Sequence, residues 1–335
     1  MVEVKTVMTK RTYRADLDLL TAKELKLLDE ACTAIEKFVK KSPEINNQNL
    51  ATRDAHATSY AFVKGSFQLD DDFEEKEIFP AKNLDCLIRI SNAHMKIVRQ
   101  DRTVPAYGFS VKLSEKDTTI ANFPLVNFPL FPIVDVSRFL QLFISINNYF
   151  SEAAFQKFWN LFKILQSFLY IIPDTLNVSF QNQVIRFLRQ WRNFILSFDY
   201  HSIGVYRLGD ALVKLRLVPI HIPKKYQDNK IDLSIESYLR EHKIYEAELQ
   251  AQYCYDEKYQ PVNFLNKMWK KSEYVPVGKI TITEFLNKND LALEALSFNP
   301  FDNIAALQPV GKLQKLRDAA YKTSLETRNK INNKS

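Results

Sequence analysis

The chain has 335 residues, 46% hydrophobic and 25% charged, with a formal net charge of +7. That is globular composition, long enough for one large domain or two small ones. Only 6 glycines and no G-x-G-x-x-G or Walker-type string argue against glycine-rich phosphate loops, and 3 scattered cysteines without C-x-x-C argue against a disulfide framework or a cysteine zinc site.

In chain order, the N-terminal residues carry no apolar run of the kind a secretory signal needs. The spacing of Leu25, Leu28, Ala31, Ile35 and Phe38 predicts an amphipathic helix over 22–41 with Thr21 as its cap, followed by a polar connector over 42–51. Alternation predicts strands at 60–69, 85–91, 106–113 and 118–127, with Gly65 at a bulge. The acidic loop Asp70-Asp71-Asp72, with Glu74 and Glu75, lacks the calcium-loop pattern and reads as a solvated turn. Residues 136–200 are dense in Phe, Leu and Ile, and helices are expected at 151–171 and 182–197, packed on a sheet or barrel. The apolar stretch from Phe158 to Ile172 is interrupted by Asn160, Lys163, Gln166 and Ser167 and is too polar to span a bilayer. A hairpin is expected over 205–218, turning at Gly209-Asp210 and ended by Pro219; alternation returns at 245–255 and 276–283. The last element is a helix over 311–330, with Leu313, Leu316 and Ala320 on its apolar face. Strands, helices, strands and a helix in that order make an α+β protein around an antiparallel sheet or closed barrel. The lysines are diffuse and accompany no nucleic-acid motif, so they read as solvated faces. The chain reads as a soluble cytoplasmic protein.

Four strings carry candidate chemistry. Arg317 and Tyr321 are four apart on the last helix, so they share a face about one turn apart, where a guanidinium beside a phenol oxygen favours phenolate. A phenolate is a known proximal ligand of haem iron. His56, in Thr52-Arg53-Asp54-Ala55-His56, is one of 5 histidines and suits general acid–base work, with Arg53 able to hold a carboxylate; a surface or core histidine is the plainer alternative. Arg89 and Ser91 share one face of a strand, and an inward Arg there needs an anion. Asn127, in an apolar surround, must have its amide satisfied, by a bound oxygen or by capping the strand. His94, His201, His221 and His242 show no metal-ligand spacing.

In this order and at roughly these distances, the strings resemble the haem catalase superfamily, and the chain is similar to its small branch of catalase-like peroxidases and haem allene oxide synthases. Arg53-x-x-His56, Arg89-Ile90-Ser91, Tyr107-Gly108-Phe109-Ser110-Val111-Lys112, Asn127-Phe128-Pro129-Leu130-Phe131 and Arg317-x-x-x-Tyr321 carry the resemblance, from about residue 50 to 326. It departs where Val126 precedes Asn127 in place of a second asparagine, where bulky Ser59-Tyr60-Ala61-Phe62-Val63 replaces small glycines, and where Ala55 replaces the threonine of allene oxide synthases.

The resemblance implies a catalase-like antiparallel β-barrel with surrounding and C-terminal helices. It implies an N-terminal helical arm over 1–49 and a haem-binding domain over 50–330 with a helical insertion at 136–200. It implies haem b held by Tyr321 on the iron, Arg317 as charge partner, Arg53 and Arg89 at the propionates, Ser91 supporting the histidine and Phe139 stacked on the distal face. His56 would move the peroxide proton and Asn127 orient the bound oxygen. The expected activity is that of a haem peroxidase or weak catalase on hydrogen peroxide or an organic hydroperoxide. A fatty-acid hydroperoxide synthase or lyase, with a channel lined by the Phe-rich helices, and a non-catalytic haem-binding protein are the alternatives; those aromatics are read here as core. The partners expected are the peroxide or lipid hydroperoxide and at most a second copy of the chain, with no nucleic acid and no integral membrane span.

Overall fold

The computed structural model describes residues 9–98, 104–226, 230–286 and 290–333. Its strands are β1 (Ser59–Leu69), β2 (Asn83–Asn92), β3 (Tyr107–Glu115), β4 (Thr118–Val126), β5 (Tyr200–His201), β6 (Val205–Leu208), β7 (Ala211–Pro219), β8 (Tyr245–Tyr253), β9 (Tyr274–Leu286) and β10 (Pro309–Val310). Its helices are α1 (Ala22–Asn46), α2 (Val136–Ser151), α3 (Ala154–Thr175), α4 (Val178–Arg189), α5 (Ile231–His242), α6 (Leu291–Ala295) and α7 (Lys312–Asn332).

The strands run in the order β7-β5-β4-β3-β2-β1-β9-β8, and β8 pairs back onto β7, closing an antiparallel barrel of 8 strands; β6 and β10 extend outward from β7. Alternation fills its interior. Ile88 and Ile90 of β2, Phe109 and Val111 of β3, Phe123 and Leu125 of β4, and Leu215 and Leu217 of β7 belong to one buried cluster. An eight-stranded barrel is just wide enough for side chains to fill, so this one is a core rather than a pore. The β6–β7 hairpin turns at Gly209, whose φ of 63° is the left-handed value that a two-residue loop favours at its first position.

Three helices pack beside the barrel. Ala31 of α1, Leu140 of α2 and Leu316 of α7 form one cluster, and Ile35, Phe38 and Val39 meet Phe143, Phe150 and Ala320 in a second. The cap expected at Thr21 forms, and it is a full capping box: Glu24 N–H donates to Thr21 Oγ1 at 3.2 Å, and Thr21 N–H donates to the Glu24 carboxylate at 2.7 Å. The start of α7 is held from two other elements: Gly311 N–H donates to Asp18 at 2.6 Å and Lys312 N–H to Asn263 Oδ1 at 2.9 Å.

Several expectations need correction. Helix α1 continues through Pro43 to Asn46, into the expected connector. The Phe-rich region holds three helices rather than two, α4 stops at Arg189, and α5 and α6 were not anticipated. Its aromatics are not all core: Phe155, Phe158, Phe162 and Phe168 are exposed, while Phe180, Phe194 and Phe198 are buried. No described helix is long and apolar enough to cross a membrane.

Candidate functional site

Because alternate residues of the barrel wall point outward, two rows of side chains reach the space beneath the helices. Strand pairing aligns Arg89 with Ser110 and Pro124 in one row, and Ser91 with Gly108 and Val126 in the next. Arg89, Ser110, Pro124 and Val126 of these rows form the floor of a cavity of about 270 Å³, walled by α1, α2 and α7 and by the loop that carries Arg53 to His56. From α7 come Arg317, Tyr321, Ser324 and Arg328, one stripe at helical spacing.

His56 sits at φ 54°, in the left-handed region that non-glycine residues rarely occupy. That backbone carries the ring over the barrel wall, where Nδ1 lies 3.0 Å from Ser91 Oγ. Gly108 makes room: a Cβ there would stand 2.7 Å from both Nδ1 and Cε1 of the ring. Burial, together with Arg89, Arg317 and Arg53 nearby, pushes the His56 pKa down to about 3. The imidazole is therefore neutral at ordinary pH, and with Nδ1 fixed by Ser91 the nitrogen left for chemistry is Nε2.

Arg317 and Tyr321 pair as their spacing predicts. Arg317 Nη2 donates to Tyr321 Oη at 3.2 Å, and Nη1 donates to Gln314 Oε1 at 2.8 Å, which fixes the guanidinium plane. Despite burial, the tyrosine oxygens of Tyr321 and Tyr206 hold the Arg317 pKa above its ordinary value.

Arg89 is 3% exposed, beneath the helices rather than at a wet sheet edge. Its Nε donates to Ser59 Oγ at 2.8 Å and Nη2 to the His56 carbonyl at 2.6 Å, so it also braces the strained histidine. Burial and the charge of Arg53 push its pKa down to about 9. Arg53 is engaged by Glu294 of α6: it pairs with the carboxylate and donates to the Glu294 and Leu296 carbonyls at 2.9 and 3.0 Å. Arg328 donates to the Glu294 carbonyl at 3.0 Å, its Nε is buried without a partner among the described residues, and burial and Arg53 push its pKa down to about 9. Four guanidinium groups thus face two carboxyl groups, Glu294 and Asp54, and burial drives the Asp54 pKa up, toward the neutral acid.

Phe139 lines the cavity from α2, stacked on Phe143 with ring centroids 5.7 Å apart. Asn127 does not line it. Val126 takes that place in the outward row, so the next side chain points the other way: Asn127 Nδ2 donates to the Pro105 carbonyl at 2.7 Å and Oδ1 accepts from Tyr107 N–H at 2.8 Å. Its carboxamide closes a strand end, the second of the two roles its sequence allowed. Arg53 is likewise not free for an outside anion, being held by Glu294. Sequence reasoning missed Glu294, Asp54 and Arg328. Arg328 was within reach, since it falls eleven residues after Arg317 on the same helical stripe; Glu294 gave no local signal.

Among the described residues no cluster of His, Cys, Asp and Glu could hold a metal ion, and the three cysteines are free. No protein-family model and no curated protein matches the sequence. Solved structures do. Catalase A from Saccharomyces cerevisiae superposes with a TM-score of 0.62 at 17% identity, over 84% of this chain and 62% of that one. A fungal catalase gives 0.62 at 18% identity, over 96% and 65%, and a bacterial catalase 0.61 at 16%, over 87% and 60%. The fold is that of the catalases. The chain spans about three fifths of their length.

Proposed function

We propose that this protein is a haem-dependent, catalase-related enzyme acting on hydrogen peroxide or an organic hydroperoxide. The observation that carries this reading is the Arg317–Tyr321 pair opening onto the same cavity as a neutral His56. The residues fit an anionic porphyrin. Arginines outnumber carboxylates there, and Arg328 Nε is a buried donor without a partner among the described residues. When bound, haem iron would supply the redox chemistry on the peroxide oxygen.

The chain's own residues have separable roles. Tyr321 would hold the iron through its phenolic oxygen, and Arg317 sets positive charge against that oxygen. His56 takes the hydroperoxide proton at Nε2 and returns it to the leaving oxygen, held for this by Ser91 and by Arg89 on its carbonyl. Arg89 and Arg328 supply the charge that propionates require. Asn127 has no part in orienting oxygen. Apolar Phe139, Phe143 and Ile35 on the other walls favour an organic hydroperoxide, so a fatty-acid hydroperoxide-converting enzyme is the second reading.

The test is the absorption spectrum of the protein given haem, with Tyr321→Phe beside it. The parent should give a high-spin ferric spectrum and the variant a grossly weakened or altered one. An unchanged spectrum would remove Tyr321 as ligand, and the absence of any haem band in the parent would sink both enzyme readings.

A further inference from the structure

Helix α3 turns its most apolar face away from the protein. Phe155, Phe158, Phe162, Leu165, Leu169 and Ile172 recur at helical spacing on the solvent side, with Phe155 84%, Phe158 70% and Leu169 68% exposed. The protein side of the helix holds Ile164 and Ile171 against α2, and the buried Asn160, whose Nδ2 donates to Glu152 at 3.3 Å. Exposed Val178, Ile185 and Leu188 of α4 add a second apolar stripe, and Trp159, Tyr170 and Trp191 are exposed as well. An unpartnered apolar helix face of this kind marks an interaction face.

Charge selects the occupant. Residues 154–192 carry Lys157, Lys163, Arg186, Arg189 and Arg192 against Asp174 alone, five cations less one anion. Asp174 is already engaged, accepting from Val134 N–H at 3.2 Å. On a helical wheel Lys157 and Lys163 flank the apolar stripe on its two edges. A second copy of this face would bring cations against cations with no free carboxylate to meet them. An anionic bilayer matches both features, because its acyl boundary takes the apolar stripe and its headgroups take the flanking lysines. Trp and Tyr suit the boundary between the two.

We propose that α3 and α4 dock this protein on an anionic lipid surface, lying along it without spanning it. The apolar stripe sits in the headgroup–acyl boundary, with Lys157, Lys163 and the α4 arginines on phosphate groups. Helix α2 alone separates this face from the cavity, since Phe139 and Phe143 line the cavity while Leu142 and Ile146 pack toward α3. The proposal does not depend on what the cavity holds.

Co-sedimentation with phosphatidylcholine vesicles, with and without phosphatidylserine, tests it. The protein should partition onto the phosphatidylserine vesicles, less so at high salt, and Trp emission should shift to the blue on binding. Trp159 and Trp191 report that shift, because the third tryptophan, Trp269, is 5% exposed and already buried. Phe158→Ser, Leu165→Ser and Leu169→Ser combined should weaken partition at least about tenfold while leaving the melting temperature unchanged. No binding of the parent protein to phosphatidylserine vesicles would overturn the proposal. So would a vesicle-free dimer whose emission is already blue and which the triple variant separates into monomers, since a second copy would then own the face.

Discussion

Helices α3 and α7 are nearly equal in length and opposite in design. Helix α7 is polar, yet it buries Arg328, Thr327, Ser324 and Gln314 and opens Arg317 and Tyr321 onto a cavity. Helix α3 is apolar, yet it exposes most of its aromatics. Composition alone would have assigned the two helices the other way round. The difference teaches that burial follows available partners. Apart from the Arg328 Nε, the α7 polar groups are tolerable inside because they meet a hydrogen bond, a carbonyl or an opposite charge. The α3 apolar face has no partner among the described residues of its own chain.

The largest expected effect tests the α7 side. Glu294→Gln removes the carboxylate set among Arg53, Arg89 and Arg328 and leaves those cations facing one another. A loss of about 2–3 kcal/mol is expected in denaturant unfolding of the haem-free protein, below the range for a fully buried pair because a third of the Glu294 side chain remains exposed. A change near zero would mean that the arginines need no internal counter-ion.

Next comes pH. Burial and neighbouring cations push both His56 and His201 down to about 3, below the ordinary histidine value of about 6.5. As pH falls below about 6.5 the unfolded chain binds these protons and the folded one does not, so stability falls with pH until about 3. Each histidine contributes a slope of up to about 1.4 kcal/mol per pH unit, read as melting temperature against pH. On the proposed function, turnover with haem present should by contrast stay level from neutral pH to about 5, since His56 stays neutral throughout; a rate that halves near pH 6.5 would contradict that environment.

The smallest effect belongs to α3. Phe158→Ser, at a 70% exposed position, should change stability by less than about 0.5 kcal/mol in chemical unfolding. A loss of several kcal/mol would place Phe158 in a core and dissolve the contrast between the two helices.

Much of this was legible in the residues. Period-two alternation marked β1 to β4 and placed Arg89 with Ser91 on one face, because the pleat enforces that period wherever a strand forms. Spacing of four put Arg317 against Tyr321, because helix geometry is local. The departures at the site involve partners from other segments. Arg53 looked free until Glu294, 241 residues away, supplied its carboxylate. Asn127 looked aimed at a ligand until β4 ended one residue earlier, at Val126, and turned the amide onto Pro105 and Tyr107.

The sequence by itself determined which residues share a strand face or a helix stripe, since those relations are set within a few residues by backbone geometry. Only the tertiary structure decided which of those faces look inward. Barrel closure sent Arg89 beneath the helices, and the packing of α2 against one side of α3 left the other side's aromatics outside. Inward or outward is a property of neighbours, and here the decisive neighbours come from other elements of the chain.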